Sequence, residues 1–401
     1  MRAVYKEYED SYINGYADAL EDMWRWQQAR RQRERERQAR CWYFLKQRAL
    51  GAAVLVFTAL AVWILEGDAT IALITVPLGL ALIFSRKKIL VNDYYFEIKE
   101  RERNEKILIG GSPCTHWSIA QKPENREKTA EGLGWELFKN YLIAKEKFKP
   151  DYFLYENNES ISKEIQGEIE RHLGVELLHF DSALVSGQKR QRIYGTNIKG
   201  VEPPEDRGIK VKNILQDGYK AENLIAETRF NGKDDTVDNN RIVRIGTVGK
   251  GGQGERVYSV NGKSSTLSAN GGGRGAKTGL YLIGAAVRKL NVIEAERLQT
   301  LPDGYTKAIK DGQRYKAVGN GWTAEMIMHI LSHMDIDKEE KVMVLSLYDG
   351  IGTGRYCLDK LGYKNITYYA YEIDENPITV ALDNYPDIIE CGDAFKVREN
   401  A

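Results

Sequence analysis

A chain of 401 residues has room for about two or three compact units, each burying its own core. Its 58 Lys and Arg nearly cancel its 57 Asp and Glu, so the net charge of +1 points to no class of partner and only the distribution of charge is informative. The 4 cysteines, Cys41, Cys114, Cys357 and Cys391, lie far apart with no paired metal spacing, which argues against a disulfide scaffold or a metal site and fits a reducing compartment.

Residues 1–48 are polar, aromatic and basic. Tyr5, Tyr8, Tyr12 and Tyr16 recur at helical spacing, and seven arginines from Arg25 to Arg40 crowd together. Glu34 and Glu36 interrupt that run, which favours a solvated helix or contact with lipid headgroups over contact with DNA. Two uncharged apolar runs follow, Leu50–Leu65 and Ala69–Phe84, separated by Glu66-Gly67-Asp68. Each would form a helix of roughly 24 Å, somewhat short of a hydrocarbon core of about 30 Å. A buried soluble hairpin is the alternative, but the runs are apolar on every face. Basic residues flank both outer ends, at Arg40, Lys46 and Arg48 and at Arg86, Lys87 and Lys88. The expectation over 49–85 is therefore a two-helix membrane hairpin with both ends cytoplasmic, at the inner face of a bacterial membrane. Residues 86–105 read as a linker.

From Lys106 the pattern changes to α/β. Short apolar runs at Lys106–Gly110 and Tyr152–Tyr155 end in polar residues, and Trp135, Phe138, Tyr141 and Leu142 between them keep helical spacing. That alternation predicts a parallel, doubly wound sheet with its ligands at the carboxyl ends of the strands. Residues 106–198 form the first part of this core. Residues 199–285, rich in Gly and Asn, read as an irregular insertion. The core resumes over 286–335, and a second α/β stretch fills 342–401.

Beyond the first strand, Pro113-Cys114 sits in a tight turn, where a thiolate would be exposed at the sheet edge. A structural cysteine is the usual alternative; the accompanying residues shift the balance. Tyr155-Glu156-Asn157 ends the next strand, and Gln188, Arg190 and Arg192 follow at alternate positions. In the last stretch, Val344–Leu347 runs into the glycine turn Tyr348-Asp349-Gly350-Ile351-Gly352-Thr353-Gly354. Glu372-Ile373 ends the following strand and Asp393 a third. His116 and Trp117 read as loop packing, and Cys357 and Cys391 as structural.

Taken together, these residues resemble the bacterial and bacteriophage DNA cytosine-5 methyltransferases. Pro113-Cys114, Glu156-Asn157 and Gln188/Arg190/Arg192 match the family's nucleophile, Glu-Asn and Gln-x-Arg-x-Arg motifs, with Asn158 standing where the family usually has Val. Arg288–Asp303 and Tyr315–Thr323 look like its ninth and tenth motifs. The cofactor motifs, normally first, come last, so the resemblance implies a Rossmann-like methyltransferase fold with permuted strand order, in which 199–285 is the target-recognition region.

The resemblance further implies S-adenosylmethionine as methyl donor, double-stranded DNA as substrate, no metal, and a cytosine flipped out of the duplex. It assigns Cys114 to attack at C6, Glu156 to N3 and Arg192 to O2, with Arg190 assisting or holding phosphate. Tyr348, Asp349, Gly350, Gly352, Gly354, Glu372, Ile373, Asp393 and Asn320 would hold the cofactor. An inactive, membrane-anchored chimera and an RNA cytosine methyltransferase are the competing readings. The intact Cys114, Glu156 and Arg192 set argues against the first, and the sizeable 199–285 region favours duplex DNA over the second. In the permuted order, Val342–Leu347 is expected to enter the sheet beside Lys106–Gly110 as a parallel neighbour.

Overall fold

The computed structural model describes residues 44–64, 70, 72–85, 105–118, 123–233, 240–269, 274–275 and 278–398. The segment before residue 44, the Glu66–Asp68 turn, most of the 86–105 linker and the glycine run at 271–273 lie outside the described residues. Two units divide the chain, Met1–Lys99 and Glu100–Ala401.

In the first unit, α1 (Phe44–Ile64) and α2 (Ala72–Phe84) pack antiparallel. Two glycines let their backbones approach: a Cβ on Gly51 would meet the Gly79 carbonyl at 2.8 Å. The polar groups between the helices pair with each other. Thr58 Oγ1 bonds Thr75 Oγ1 at 2.7 Å, and buried Gln47 donates to the Leu82 carbonyl at 3.3 Å. The Lys46-Gln47-Arg48 stretch, which reads as a flank of the apolar run, lies inside α1, with Gln47 buried against α2. Only α1, at 21 residues, is long and apolar enough among the described residues to cross a membrane; α2 has 13.

The second unit is built on a sheet of seven strands among the described residues. These are β1 (Glu105–Gly110), β2 (Tyr152–Asn158), β3 (Leu177–Asp181), β4 (Gln191–Thr196), β10 (Lys341–Leu347), β11 (Asn365–Tyr371) and β12 (Ile389–Glu390), in the order β12-β11-β10-β1-β2-β4-β3. All neighbours pair in parallel except β4, which runs against β2 and β3. The expected parallel pairing of β10 with β1 is present, with Leu108 opposite Leu345 and Gly110 opposite Leu347.

Successive side chains of β1 point to opposite faces. Ile107 and Ile109 join one buried cluster with α7 (Ala324–Leu331), α8 (Thr353–Lys360) and α9 (Glu375–Asn384); Leu108 joins the other, with α3 (Gly132–Phe148) and α4 (Lys163–Leu173). Helices on both faces explain why the central strands read as continuous apolar runs.

The region expected to be irregular over 199–285 instead holds a second sheet. It comprises β5 (Thr228–Phe230), β6 (Arg244–Val248), β7 (Arg256–Ser259), β8 (Leu280–Ile283) and β9 (Ala286–Lys289), in that spatial order. Its strands run three to five residues, too short for a legible alternation. The last hairpin turns at Gly284, where φ is +59°, and so carries the region past residue 285. Core structure resumes with α5 (Val292–Leu298) and α6 (Asp311–Asn320).

The approach of β1 to β10 is closest at Gly110, where a Cβ would meet the Leu347 carbonyl at 2.5 Å and where φ is +156°. Gly110→Ala is expected to cost roughly 2–4 kcal/mol through backbone strain. Chemical denaturation of the variant tests this, and an unchanged midpoint would show that β10 does not press on β1.

Candidate active site

The turn after β1 is fastened before it reaches the cysteine. Gly111 lies against the Glu156 backbone, where a Cβ would meet the carbonyl oxygen at 2.4 Å. Buried Ser112 shares a hydrogen bond with the Tyr155 hydroxyl at 2.7 Å, and Asn157 Nδ2 donates to the Ser112 carbonyl at 3.0 Å. Cys114 then opens a short 3-10 turn whose end is held by Trp117 N–H and Ser118 N–H donating to the Cys114 carbonyl at 3.0 and 2.9 Å. Trp117 is fully buried and donates to Glu127 at 3.0 Å, so it packs the loop, as does the neighbouring His116 against Glu127 at 3.7 Å.

Glu156 and Arg192 approach because β2 and β4 pair with Asn158 opposite Arg192, which puts the two side chains diagonally on one face. Arg192 Nε bonds Glu156 Oε1 at 2.9 Å, the side chains being 12% and 13% exposed. The other carboxylate oxygen accepts from Trp322 Nε1 at 2.9 Å. Burial pushes the Cys114 thiol above its ordinary value; Arg192 opposes this most, Glu156 adds to it and Arg190 opposes it. At rest Cys114 is therefore a thiol, and the two arginines supply the field that favours its thiolate.

Arg190 is placed differently from Arg192. Only 3% exposed, it donates to the carbonyls of Leu267, Gly319 and Gly321 at 3.3, 3.3 and 2.8 Å. Burial and then Arg192 push its guanidinium down to about 9. Its donors are directed at backbone rather than at the face that carries Glu156.

The glycine turn after β10 requires unusual backbone, with φ of +57° at Tyr348, +65° at Gly350 and +73° at Gly352. Gly350 N–H donates to Glu372 Oε2 at 2.9 Å, while Glu372 Oε1 accepts from the amides of Ile373 and Asp374 at 2.8 and 2.9 Å. Ile373 itself is 72% exposed. Asp349 Oδ1 accepts from Ser346 and Tyr368, both at 2.6 Å. Gly354 packs against Ile109 and Tyr368. Tyr348 donates to the Leu137 carbonyl at 2.8 Å and accepts from buried Asn140 at 3.1 Å. Asp393 receives the Phe395 amide at 2.9 Å. Asn320 is exposed at the end of α6, four positions after Lys316, which bonds Asp374 at 2.8 Å.

These residues fit S-adenosylmethionine. A Cβ at Gly350 would meet nothing, so the turn is open. Asp349 Oδ2 and both Glu390 carboxylate oxygens are buried with no hydrogen-bond partner, acceptors in want of donors. Exposed Ile373 offers an apolar face beside the oriented Glu372 carboxylate. Among the described residues no group of three or more His, Cys, Asp or Glu is arranged to hold a metal ion.

A thiol in a strand-end turn, a carboxylate gripped by an arginine and a glycine turn at the end of the neighbouring strand mark this sheet edge as the candidate active site of a group-transfer enzyme. The model of the C-5 cytosine-specific DNA methylases matches residues 85–335, and the chain belongs to that family. The family uses S-adenosylmethionine as its methyl donor. Among relatives, the Type II methyltransferase M.HhaI of Haemophilus parahaemolyticus is 33% identical over 249 residues, covering 56% of this chain and 74% of the relative. The Type II methyltransferase M1.ScrFI of Lactococcus lactis subsp. cremoris is 27% identical over 258 residues, covering 59% and 63%. A solved structure of Dnmt2 methyltransferase from S. pombe matches with a TM-score of 0.31 and 16% identity, over 50% of this chain and 71% of that one. The family match ends before β10 begins.

Reading the sequence missed the partners of the expected residues. Trp322 was matched only as part of the tenth motif, although its indole, next to Gly319-Asn320-Gly321, is the signal that would have marked it. Gln299 falls inside the stretch that looks like the ninth motif without being singled out there, and Asn140 carries no local signal at all. Nor does Glu390, whose carboxyl is pushed up to about 7 by burial and then by Asp349 and Glu372. Because its folded-state value lies above the unfolded one of about 4.5, the native state keeps a proton that the unfolded chain loses. Stability should therefore fall as pH rises from about 4.5 to about 7 and stay reduced above it. Glu390→Gln should remove that loss, so its melting-temperature advantage over wild type should widen between about pH 5 and about pH 8. An advantage equal at both pH values would refute the assignment.

Proposed function

We propose that this enzyme methylates C5 of a flipped-out cytosine in duplex DNA through a covalent adduct on Cys114, and that its two catalytic halves are joined in exchanged order. The observation that carries the reading is the Glu156 carboxylate, held by Arg192 and electrostatically linked to Cys114. C5 of cytosine is a poor nucleophile. Addition of the Cys114 sulfur to C6 moves electron density toward C5, N3 and O2. Glu156 meets the ring at N3 and Arg192 at O2, where the charge develops. When bound, S-adenosylmethionine supplies the methyl group that C5 receives. Loss of the C5 proton then expels the Cys114 thiolate and restores the aromatic ring. Glu372 serves the cofactor's ribose, Asp393 and Ile373 its adenine, and Tyr348, Asp349, Gly350, Gly352, Gly354 and Asn320 shape the rest of the pocket. Arg190 is a positioning residue. The sheet over β5–β9 reads the DNA, with its lysines and arginines on phosphate.

The exchanged order is supported by the parallel register of β10 against β1, which brings a carboxyl-terminal strand beside the first strand of the family-matched segment. DNA carrying 5-fluorocytosine should trap an adduct with the full-length chain and none with Cys114→Ala, because fluorine at C5 blocks the elimination. An adduct that persists in the variant would sink the assignment.

For the first unit we infer a membrane hairpin, with the enzyme on the cytoplasmic side of a bacterial inner membrane. Its polar groups pair between the helices, whereas Trp63, Leu73, Ile74 and Phe84 present apolar side chains outward. At 21 residues α1 reaches roughly 31 Å, enough for the hydrocarbon core. Cell fractionation should leave the protein in the membrane pellet until detergent is added. Recovery in the soluble fraction without detergent or high salt would exclude the hairpin reading.

A further inference from the structure

Trp322 lies on a segment that buried polar groups hold from both sides. The Gly321 carbonyl accepts from Arg190 at 2.8 Å and from Gln299 Nε2 at 3.0 Å. On the far side, Thr323 Oγ1 donates to Gln299 Oε1 at 2.9 Å, and the Ala324 amide donates to the Gln299 carbonyl at 2.9 Å. Gln299 is fully buried and is itself held by Gln188 Nε2 at 2.7 Å. The backbone at Trp322 therefore has one arrangement, and in it the indole N–H reaches Glu156 Oε2 at 2.9 Å, while Arg192 takes Oε1.

We propose that Trp322 is a positioning residue that fixes the Glu156 carboxyl plane for the cytosine N3, and that Arg190 and Gln299 act on the reaction through it. The inference rests on the reading of Glu156 as the N3 partner. Arg192 alone fixes one oxygen and leaves the carboxyl free to rotate about its Cγ–Cδ bond. A second donor on the other oxygen defines the plane. An indole serves this role because it donates one hydrogen bond, accepts none, and carries no charge that would compete with Arg192 for the base. Replacing Arg190 by an apolar side chain of the same shape would leave the Gly321 carbonyl with Gln299 as its remaining side-chain donor and the Leu267 and Gly319 carbonyls without Arg190, loosening the segment.

Trp322→Phe keeps the ring and deletes the donor. In single-turnover adduct formation with 5-fluorocytosine DNA, it should slow the full-length enzyme by roughly ten- to a hundredfold, the usual effect of one hydrogen bond to a charged group. DNA affinity should change little. In a Glu156→Gln background the same substitution should slow the reaction less than about threefold, because the group it acts through is already altered. Equal slowing in both backgrounds would make Trp322 a packing residue and overturn the proposal. A Glu156→Gln enzyme as fast as wild type would instead overturn the reading of Glu156. If Trp322→Phe fails to fold, 15N spectra of the indole N–H groups decide on wild type and Glu156→Gln alone. One indole resonance should move on loss of the carboxylate, and none moving would refute the contact.

Discussion

The chemistry of the second unit depends on the parallel contact between β1 and β10. In a parallel pair both strands leave the sheet at the same edge, and the register sets Gly110 opposite Leu347. The cysteine turn and the glycine turn therefore start from adjacent positions. An antiparallel pairing of strands this long would have separated the two turns by roughly 20 Å, at about 3.3 Å per residue. The contact is permitted by missing side chains. Gly110 admits the Leu347 carbonyl, and Gly354 admits Ile109 and Tyr368, so that the first turn of α8 lies directly on β1. Proximity of the cysteine turn and the glycine turn is thus a property of sheet topology rather than of loop closure.

A second constraint fixes orientation. Gln188, Arg190 and Gln299 are buried polar groups, and each would cost about 1–3 kcal/mol if left without a partner. They are satisfied only when three stretches meet: the loop at Leu267 between β7 and β8, the end of α5 at Leu298, and the Gly319–Thr323 segment. Lys263 adds a fourth tie. Nearly all of it is buried, and it donates to the carbonyls of Ala183, Ser186 and Ile209 at 2.5, 3.0 and 2.6 Å. Burial pushes its ammonium down, a cost that the three carbonyls offset. The stretch that carries β5–β9 is consequently joined to the strands around Glu156 by directional bonds.

How much of this was legible follows from the length of each signal. The central strands could be read because burial on both faces gives each a short uninterrupted apolar stretch, Ile107–Ile109, Tyr152–Tyr155 and Val342–Leu345, that leads into polar chemistry. The β5–β9 sheet could not, since strands of three to five residues with mixed burial have neither period nor length. Gln47 is polar by type and buried by contact, which its sequence neighbours do not mark. At the site, residue types at strand ends drew attention to Cys114, Glu156 and Arg192. Arg190, although only two positions from Arg192, faces inward to carbonyls, and alternate spacing along a strand cannot distinguish that from a charge on the substrate. The Glu156–Trp322 contact spans 166 positions, so no local pattern contains it.

Under the exchanged order proposed above, the Ala394–Arg398 turn has to be held without a covalent run into β1. α3 supplies the hold. Lys147 donates to the carbonyls of Val397 and Arg398 at 2.9 and 3.1 Å, and Arg398 donates to Asn140 Oδ1 at 2.6 Å and to the Glu136 carbonyl at 3.0 Å. Cutting a connection costs little through loop entropy, about 0.6 kcal/mol per doubling of loop length. A handful of hydrogen bonds at about 0.5–1.5 kcal/mol each is enough to offset that. The placement of the hold matters more than its strength. Asn140, which receives Arg398, also donates to the Tyr348 hydroxyl at 3.1 Å. Tyr348 opens the glycine turn in a left-handed conformation that needs support. The helix that retains the Ala394–Arg398 turn therefore also braces the glycine turn proposed for the cofactor, and loss of the Arg398–Asn140 contact would reach that turn through a single side chain.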